Sequence, residues 1–132
     1  MALIQLNPPE IAAPASRYSH GVLVPASATR LIISGQVGVQ PDGAVADGLA
    51  AQIEQAFANL EAVLIAAGMG VGDLVKITAF TVPADGVGLF RAIRDRRLLG
   101  HAPACTYVQV AGLASPAFLF ELEGEAAKET GR

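Results

Sequence analysis

Along most of this chain apolar and polar residues alternate with period two, and in two stretches they recur instead every three or four positions. Near the C-terminus, Thr106, Val108 and Val110 fall on one face of an extended segment and Tyr107 and Gln109 on the other. Phe118, Phe120, Leu122 and Gly124 alternate in the same way with Leu119, Glu121, Glu123 and Glu125. Between these runs Gly112 and Pro116 mark a turn, so the pattern predicts a pair of strands. Leu74 to Val82 predicts another strand, with Val75, Ile77 and Ala79 on one side, Lys76, Thr78 and Phe80 on the other, and Pro83 stopping it. Val22 to Val24 and Arg30 to Ser34 predict a hairpin around Pro25 to Thr29. Leu3 to Leu6 predicts a short edge strand ended by Pro8 and Pro9.

The helical period appears first in Leu49, Ile53, Phe57, Leu60 and Leu64, with Asp47 as the expected N-cap and Gly68 as the stop. It returns in Val87, Phe90, Ile93, Arg94, Arg97 and Leu98, with Asp85 as the expected cap and Gly100 as the end. The order is three strands, helix, strand, helix and two strands: an α+β domain with two helices laid on one face of a mostly continuous sheet. Residues 1–126 read as a single domain and residues 127–132 as a polar, frayed tail.

Composition adds a demand for cover. Hydrophobic residues make up 52% of the 132, yet no apolar run approaches the roughly 18 residues of a membrane span. The surplus is expected to be buried in an obligate oligomer rather than in a bilayer. A net charge of −3 argues against a nucleic-acid partner, and RNA cleavage finds no support in it. Arg91, Arg94, Arg96, Arg97 and His101 do cluster, but Asp95 interrupts them and helical spacing spreads them round a helix; they read as a solvated helix end or, as the alternative, as a ligand or anion contact. Met1 to Pro9 lacks the marks of a secretory signal and Cys105 has no internal partner, so a reducing cytoplasm is expected.

Candidate chemistry is sparse. Gly68-Met69-Gly70-Val71-Gly72 follows a helix and precedes a strand, the reverse of a dinucleotide loop, and no cofactor is expected. His20, His101 and Cys105 lack metal-ligand spacing, and no acid is identified to orient the Ser19-His20 pair, so neither a metal site nor a hydrolase triad is expected. Cys105 opens one strand of the C-terminal pair and reads either as a small buried hydrophobe or as a reactive thiol. Glu123, between Leu122 and Gly124, reads either as a desolvated acid–base or as an ordinary carboxylate.

Several segments in order resemble a known family: Arg17-Tyr18-Ser19, Ile33-Ser34-Gly35-Gln36, Asn59-Leu60-Glu61-Ala62-Val63-Leu64 before Ala67-Gly68, and Asp73-Leu74-Val75-Lys76-Ile77-Thr78-Ala79-Phe80. With Ala102-Pro103-Ala104 and Phe120-Glu121-Leu122-Glu123-Gly124 they resemble the reactive-intermediate deaminases, the Rid or YjgF-like proteins, also labelled L-PSP endoribonucleases. The resemblance implies a chorismate-mutase-like fold with a mixed six-stranded sheet, a homotrimeric barrel, and small-molecule clefts between subunits. In the deaminating members an Arg directly follows the Pro-Ala and grips the substrate carboxylate, while a Glu in the last strand positions water. Here Cys105 stands in the place of that Arg and Glu123 matches the Glu, making these two the catalytic candidates. Tyr18, Ser34, Gly35, Arg91 and Thr106 are the substrate-binding candidates.

Three readings stay open: an enzyme or binder of an enamine, imine or related metabolite that lacks the usual carboxylate anchor; a 2-imino acid deaminase with Arg91 as the replacement; and a non-catalytic sensor or interaction trimer. On the family's pattern, Cys105→Arg is expected to restore the anchor.

Overall fold

The structure, a computed structural model, describes residues 3–129. Strands β1 (Ile4–Leu6) and β2 (Gly21–Leu23) form an antiparallel ribbon, with Ile4 opposite Leu23. Strands β3 (Ala28–Val37), β4 (Leu74–Thr81), β5 (Ala104–Gln109) and β6 (Phe120–Glu129) form a mixed sheet in the order β3-β6-β4-β5. The six strands are therefore divided between a ribbon and a four-stranded sheet, not hydrogen-bonded into one continuous sheet, and the expected hairpin of β2 with β3 does not form, because β2 pairs with β1 and β3 with β6. A parallel bridge between Ser19 and Ala104 joins the two. Ser19 N–H donates to Pro103 O at 3.1 Å and its Oγ–H to Ala102 O at 2.6 Å, which carries the preceding Tyr18 to the start of β5.

Helices α1 (Leu49–Ala66) and α2 (Val87–Arg97) form where the apolar residues recur at helical spacing, and both cover the same face of the sheet. Phe57, Leu60 and Leu64 of α1 and Phe90 of α2, with Leu98 just past its end, are essentially inaccessible. They meet Ile77, Ala79, Leu122 and Phe120 from the strands, and Phe90 lies 6.2 Å from the ring of Phe57 and 5.8 Å from that of Phe120. Alternation in β4 follows the expected faces: Leu74, Val75, Ile77, Ala79 and Thr81 are buried, and Lys76, Thr78 and Phe80 half-buried. Among the described residues no helix is long and apolar enough to cross a membrane.

Three local expectations are corrected. Neither Asp47 nor Asp85 caps a helix. The N-cap positions are Gly48 and Gly86, without side-chain caps, and the chain enters α1 through a left-handed turn at Gly48, with φ of 89°, that leaves Asp47 outside the helix. Strand β6 does not fray at 126. Ala28 to Leu31 on β3 pair with Glu129 to Ala126, and the small side chains of Ala126 and Ala127 are 1% exposed, so pairing and packing extend the strand to Glu129. Residues 130–132 of the expected tail lie outside the described residues.

The junction of β3 with α1 is tight. Gln52, 2% exposed, donates through Nε2 to Ala46 O at 3.1 Å and Ala117 O at 3.0 Å, and accepts Leu119 N–H at 2.8 Å. A Cβ on Gly38 would stand 2.6 Å from the Cα of Gln52. Backbone on that side cannot move without shifting the helix, so Gly38→Ala is expected to cost about 1–3 kcal/mol. Urea denaturation with an unchanged m-value tests this; a midpoint equal to wild type would mean that the helix shifts freely.

Candidate functional site

The side-chain alternation of β5 and β6 separates the expected site into two places. Cys105 registers with Ile77, which registers with Gly124, and this row faces the helices. Thr106 registers with Thr78, which registers with Glu123, and this row faces away from them. The two catalytic candidates, Cys105 and Glu123, therefore stand on opposite faces of the sheet.

On the open face, Glu123 is exposed and borders a hollow of about 190 Å³ with Ser34, Lys76, Thr78 and Glu125. Lys76 Nζ donates to Thr106 Oγ1 at 2.6 Å, which adds Thr106 to the rim of this cluster. Within one chain Glu123 is not desolvated, contrary to one of the two expected environments. Gly35 lies in the irregular part of β3 between Ile33 and Gln36, and a Cβ there would collide with the Glu121 carboxylate, so its approach space is taken by a side chain of the same molecule.

On the helix side, Tyr18, Arg91 and Cys105 line a cavity of about 240 Å³ with Ser16, Phe90, Arg94 and Tyr107. Arg91 is exposed at this cavity. Arg94, placed one turn on, is 2% exposed. Its Nε–H donates to Asp95 Oδ1 at 3.0 Å, Nη1 lies 3.8 Å from Cys105 Sγ, and its guanidinium carbon sits 5.6 Å from the centre of the Phe90 ring. Neither Arg94 Nη2 nor Tyr107 Oη has a hydrogen-bond partner among the described residues. The expectation that Arg94 belongs to a solvated helix end is thus overturned, while Arg96 and Arg97 both pair with Glu54 near the surface. Its position was legible as a charged residue on the apolar stripe Phe90, Ile93, Leu98. Its link to the site was not, because Cys105 lies on another element.

Burial pushes the Cys105 thiol up from its ordinary value of 9.0, and a hydrogen bond and charge from Arg94, with the charges of Lys76 and Arg91, oppose that rise without cancelling it. The neutral thiol lines the cavity at neutral pH. Alkylation of native Cys105 by iodoacetamide at pH 7.5 is expected to run at least about 10-fold slower than in the urea-unfolded chain, and to accelerate as the pH is raised. Equal rates, read by mass spectrometry, would mean an accessible thiolate.

A wider hollow of about 700 Å³ lies between the β1–β2 ribbon and the end of β6, lined by Ile4, Val22, His101 and Ala127. None of the expected site residues borders it, and His101 there is engaged by Nε2 with Leu74 O at 2.7 Å. Among the described residues no group of three His, Cys, Asp or Glu side chains is arranged to hold a metal ion.

Comparison with known proteins places this geometry. The family model described as Endoribonuclease L-PSP matches residues 10–128. A 2-iminobutanoate/2-iminopropanoate deaminase of Salmonella typhimurium is 38% identical over 87 residues, 63% of this chain and 68% of that protein. The rat protein of the same name is 34% identical over 98 residues, 73% of this chain and 69% of that one. Among solved structures, a Rid-family protein of unknown function, YyfB from Yersinia pestis, superposes with a TM-score of 0.87 at 30% identity, covering 97% of this chain and all of that one. The YjgF gene product of Escherichia coli gives 0.71 at 33% identity, over 87% of this chain and 91% of the other.

Proposed function

Because the chain belongs to the endoribonuclease L-PSP family, the Rid or YjgF-like proteins, we propose that it is a deaminase-type hydrolase of a small imine or enamine, working in a cleft completed by another copy of itself. The observation that carries the second half of this reading is the division of Glu123 and Cys105 between the two faces of one sheet. One chain cannot direct both at the same ligand, whereas a neighbouring copy laid against the open face brings its own cavity edge toward Glu123. The open face suits such cover: Ile32 is 65% exposed beside the hollow that holds Glu123, and Val108 is exposed on the same side of β5. Three copies with these faces turned inward form the closed trimer that the family resemblance implies.

In that setting Glu123 accepts a proton from water as the water oxygen bonds to the imine carbon. That proton passes to nitrogen to give the carbinolamine; the hydroxyl proton is then transferred to the same nitrogen, the C–N bond breaks, and ammonia leaves as the carbonyl forms. Imine and water are consumed, carbonyl and ammonia are produced, and no oxidant or cofactor takes part. Enclosure by the neighbouring copy strips water from Glu123 and strengthens its pull on the attacking water.

Two measurements test the proposal. Freshly generated 2-iminopropanoate and an uncharged imine of similar size are each followed by ammonia release, and at least one is expected to be hydrolysed well above the uncatalysed rate. Sedimentation is expected to give three times the chain mass of 13.5 kDa. Uncatalysed rates for both imines would remove the hydrolase, and a monomer would remove the shared cleft.

A further inference from the structure

We propose that the Nη1/Nη2 edge of Arg94 is an anion-binding subsite that receives a substrate carboxylate, so that a helix residue, and neither Cys105 nor Arg91, recognises the charge of the ligand. This rests on the reading of the helix-side cavity as part of the ligand cleft.

A guanidinium carries five N–H donors in one plane. Asp95 takes the Nε–H of Arg94, the soft sulfur of Cys105 lies 3.8 Å from Nη1, and Nη2 has no partner among the described residues. The side of the plane left over is the pair of terminal nitrogens, the edge that matches the two oxygens of a carboxylate. A buried cation in this condition is costly unless a second acceptor arrives. Asp95 satisfies one corner only, and its own side chain is 38% exposed.

The remaining geometry explains why neither alternative is better. Arg91 borders the cavity but is exposed, so water competes for its charge. Cys105 is a neutral thiol, and its small side chain leaves room for the guanidinium coming from α2. A strand position holding a short side chain and a helix position holding a buried arginine are thus one arrangement: each permits the other.

The test is thermal unfolding of the intact protein with pyruvate, the product of 2-iminopropanoate hydrolysis, against sodium sulfate at equal ionic strength. Pyruvate is expected to raise the Tm of the wild type by about 2–4 °C near saturation, with sulfate much weaker. Arg94→Met is expected to abolish the pyruvate shift and Arg94→Lys to weaken the apparent affinity at least about 10-fold, while Arg91→Met retains it. Without ligand, Arg94→Met is expected to melt at or above the wild-type temperature, because a buried charge has been replaced by an apolar chain of similar shape. A merely structural Arg94 gives the reverse, a lower Tm with an unchanged pyruvate shift, and that result overturns the proposal. Equal stabilisation by sulfate, or no response of the wild type to pyruvate, overturns it as well.

Binding is read without turnover, so the two readings fail separately. Arg94-dependent pyruvate binding without imine hydrolysis removes the deaminase and keeps the subsite. Hydrolysis of 2-iminopropanoate indifferent to Arg94→Met removes the subsite and keeps the deaminase.

Discussion

Cys105→Arg is expected to destabilise this protein by about 2–4 kcal/mol, and Arg94→Met in the same chain to bring it back to within about 1 kcal/mol of wild type. The family's sequence pattern suggests the opposite, that an arginine at 105 would simply refill an empty anchor. The cavity explains the reversal. Arg94 Nη1 is already 3.8 Å from the sulfur of Cys105, in a place where Arg94 itself is 2% exposed. Two guanidinium groups about 4 Å apart repel by several kcal/mol at the effective dielectric of a protein site, and Asp95 is engaged with the first. Removing Arg94 vacates both the volume and the charge.

Urea denaturation of the wild type, both single variants and the double variant gives the coupling energy directly. A favourable coupling of about 2 kcal/mol or more between the two substitutions is the expected result. Additive effects would mean that the new arginine turns out of the cavity, and that residues 94 and 105 do not compete for one site. The double variant also separates charge recognition from its address: with one guanidinium coming from the strand, it is expected to regain the pyruvate response that Arg94→Met loses.

Glu123→Gln is expected to lower kcat for imine hydrolysis by about 10²–10⁴, with the melting temperature and the oligomer unchanged. Glutamine keeps the shape and hydrogen-bonding reach of the side chain but cannot accept the proton of the attacking water. Stability should not fall with activity, because Glu123 is exposed in the single chain and, once enclosed by a neighbouring copy, a neutral side chain of the same shape costs no more to desolvate than the carboxylate. Thr78→Val beside it serves as the comparison for a change that alters the hollow without removing the acid. Full turnover by the Glu123→Gln variant on a hydrolysed substrate would take the proton transfer away from this residue and leave Lys76, 2.6 Å from Thr106, as the group on this face to examine next.

Arg94 shows how far a reading along the chain could reach. The three-and-four spacing of Phe90, Ile93, Arg94 and Leu98 puts the arginine on the inner side of α2, and it is buried there. Its role stayed hidden because the sulfur it meets is 11 residues away on a strand that leaves the helix through Gly100, with φ of 83°. The caps failed for a related reason. Asp47 and Asp85 have the right chemistry two residues ahead of each helix, but the chain turns into α1 at Gly48 and into α2 at Gly86, where Tyr107 Oη would stand 2.9 Å from any Cβ. Side chains of β5, β4 and α1 fill the space beside Gly86, a tertiary contact that no local preference at Asp85 reports.

Local order was therefore determined by the sequence alone: periods of two and of three to four place six strands and two helices, since each period reports which side chains one element can bury together. The partner of each face was a tertiary decision. Pairing β6 between β3 and β4 sets Gly124 toward the helices and Glu123 away from them, and parallel pairing of β5 with β4 sets Cys105 beside Arg94. A shift of register by one residue would exchange those faces without altering the alternation within any strand. Alternation names the residues that share a side; only the pairing of distant segments, set by the shape of the whole core, determines which side faces the ligand.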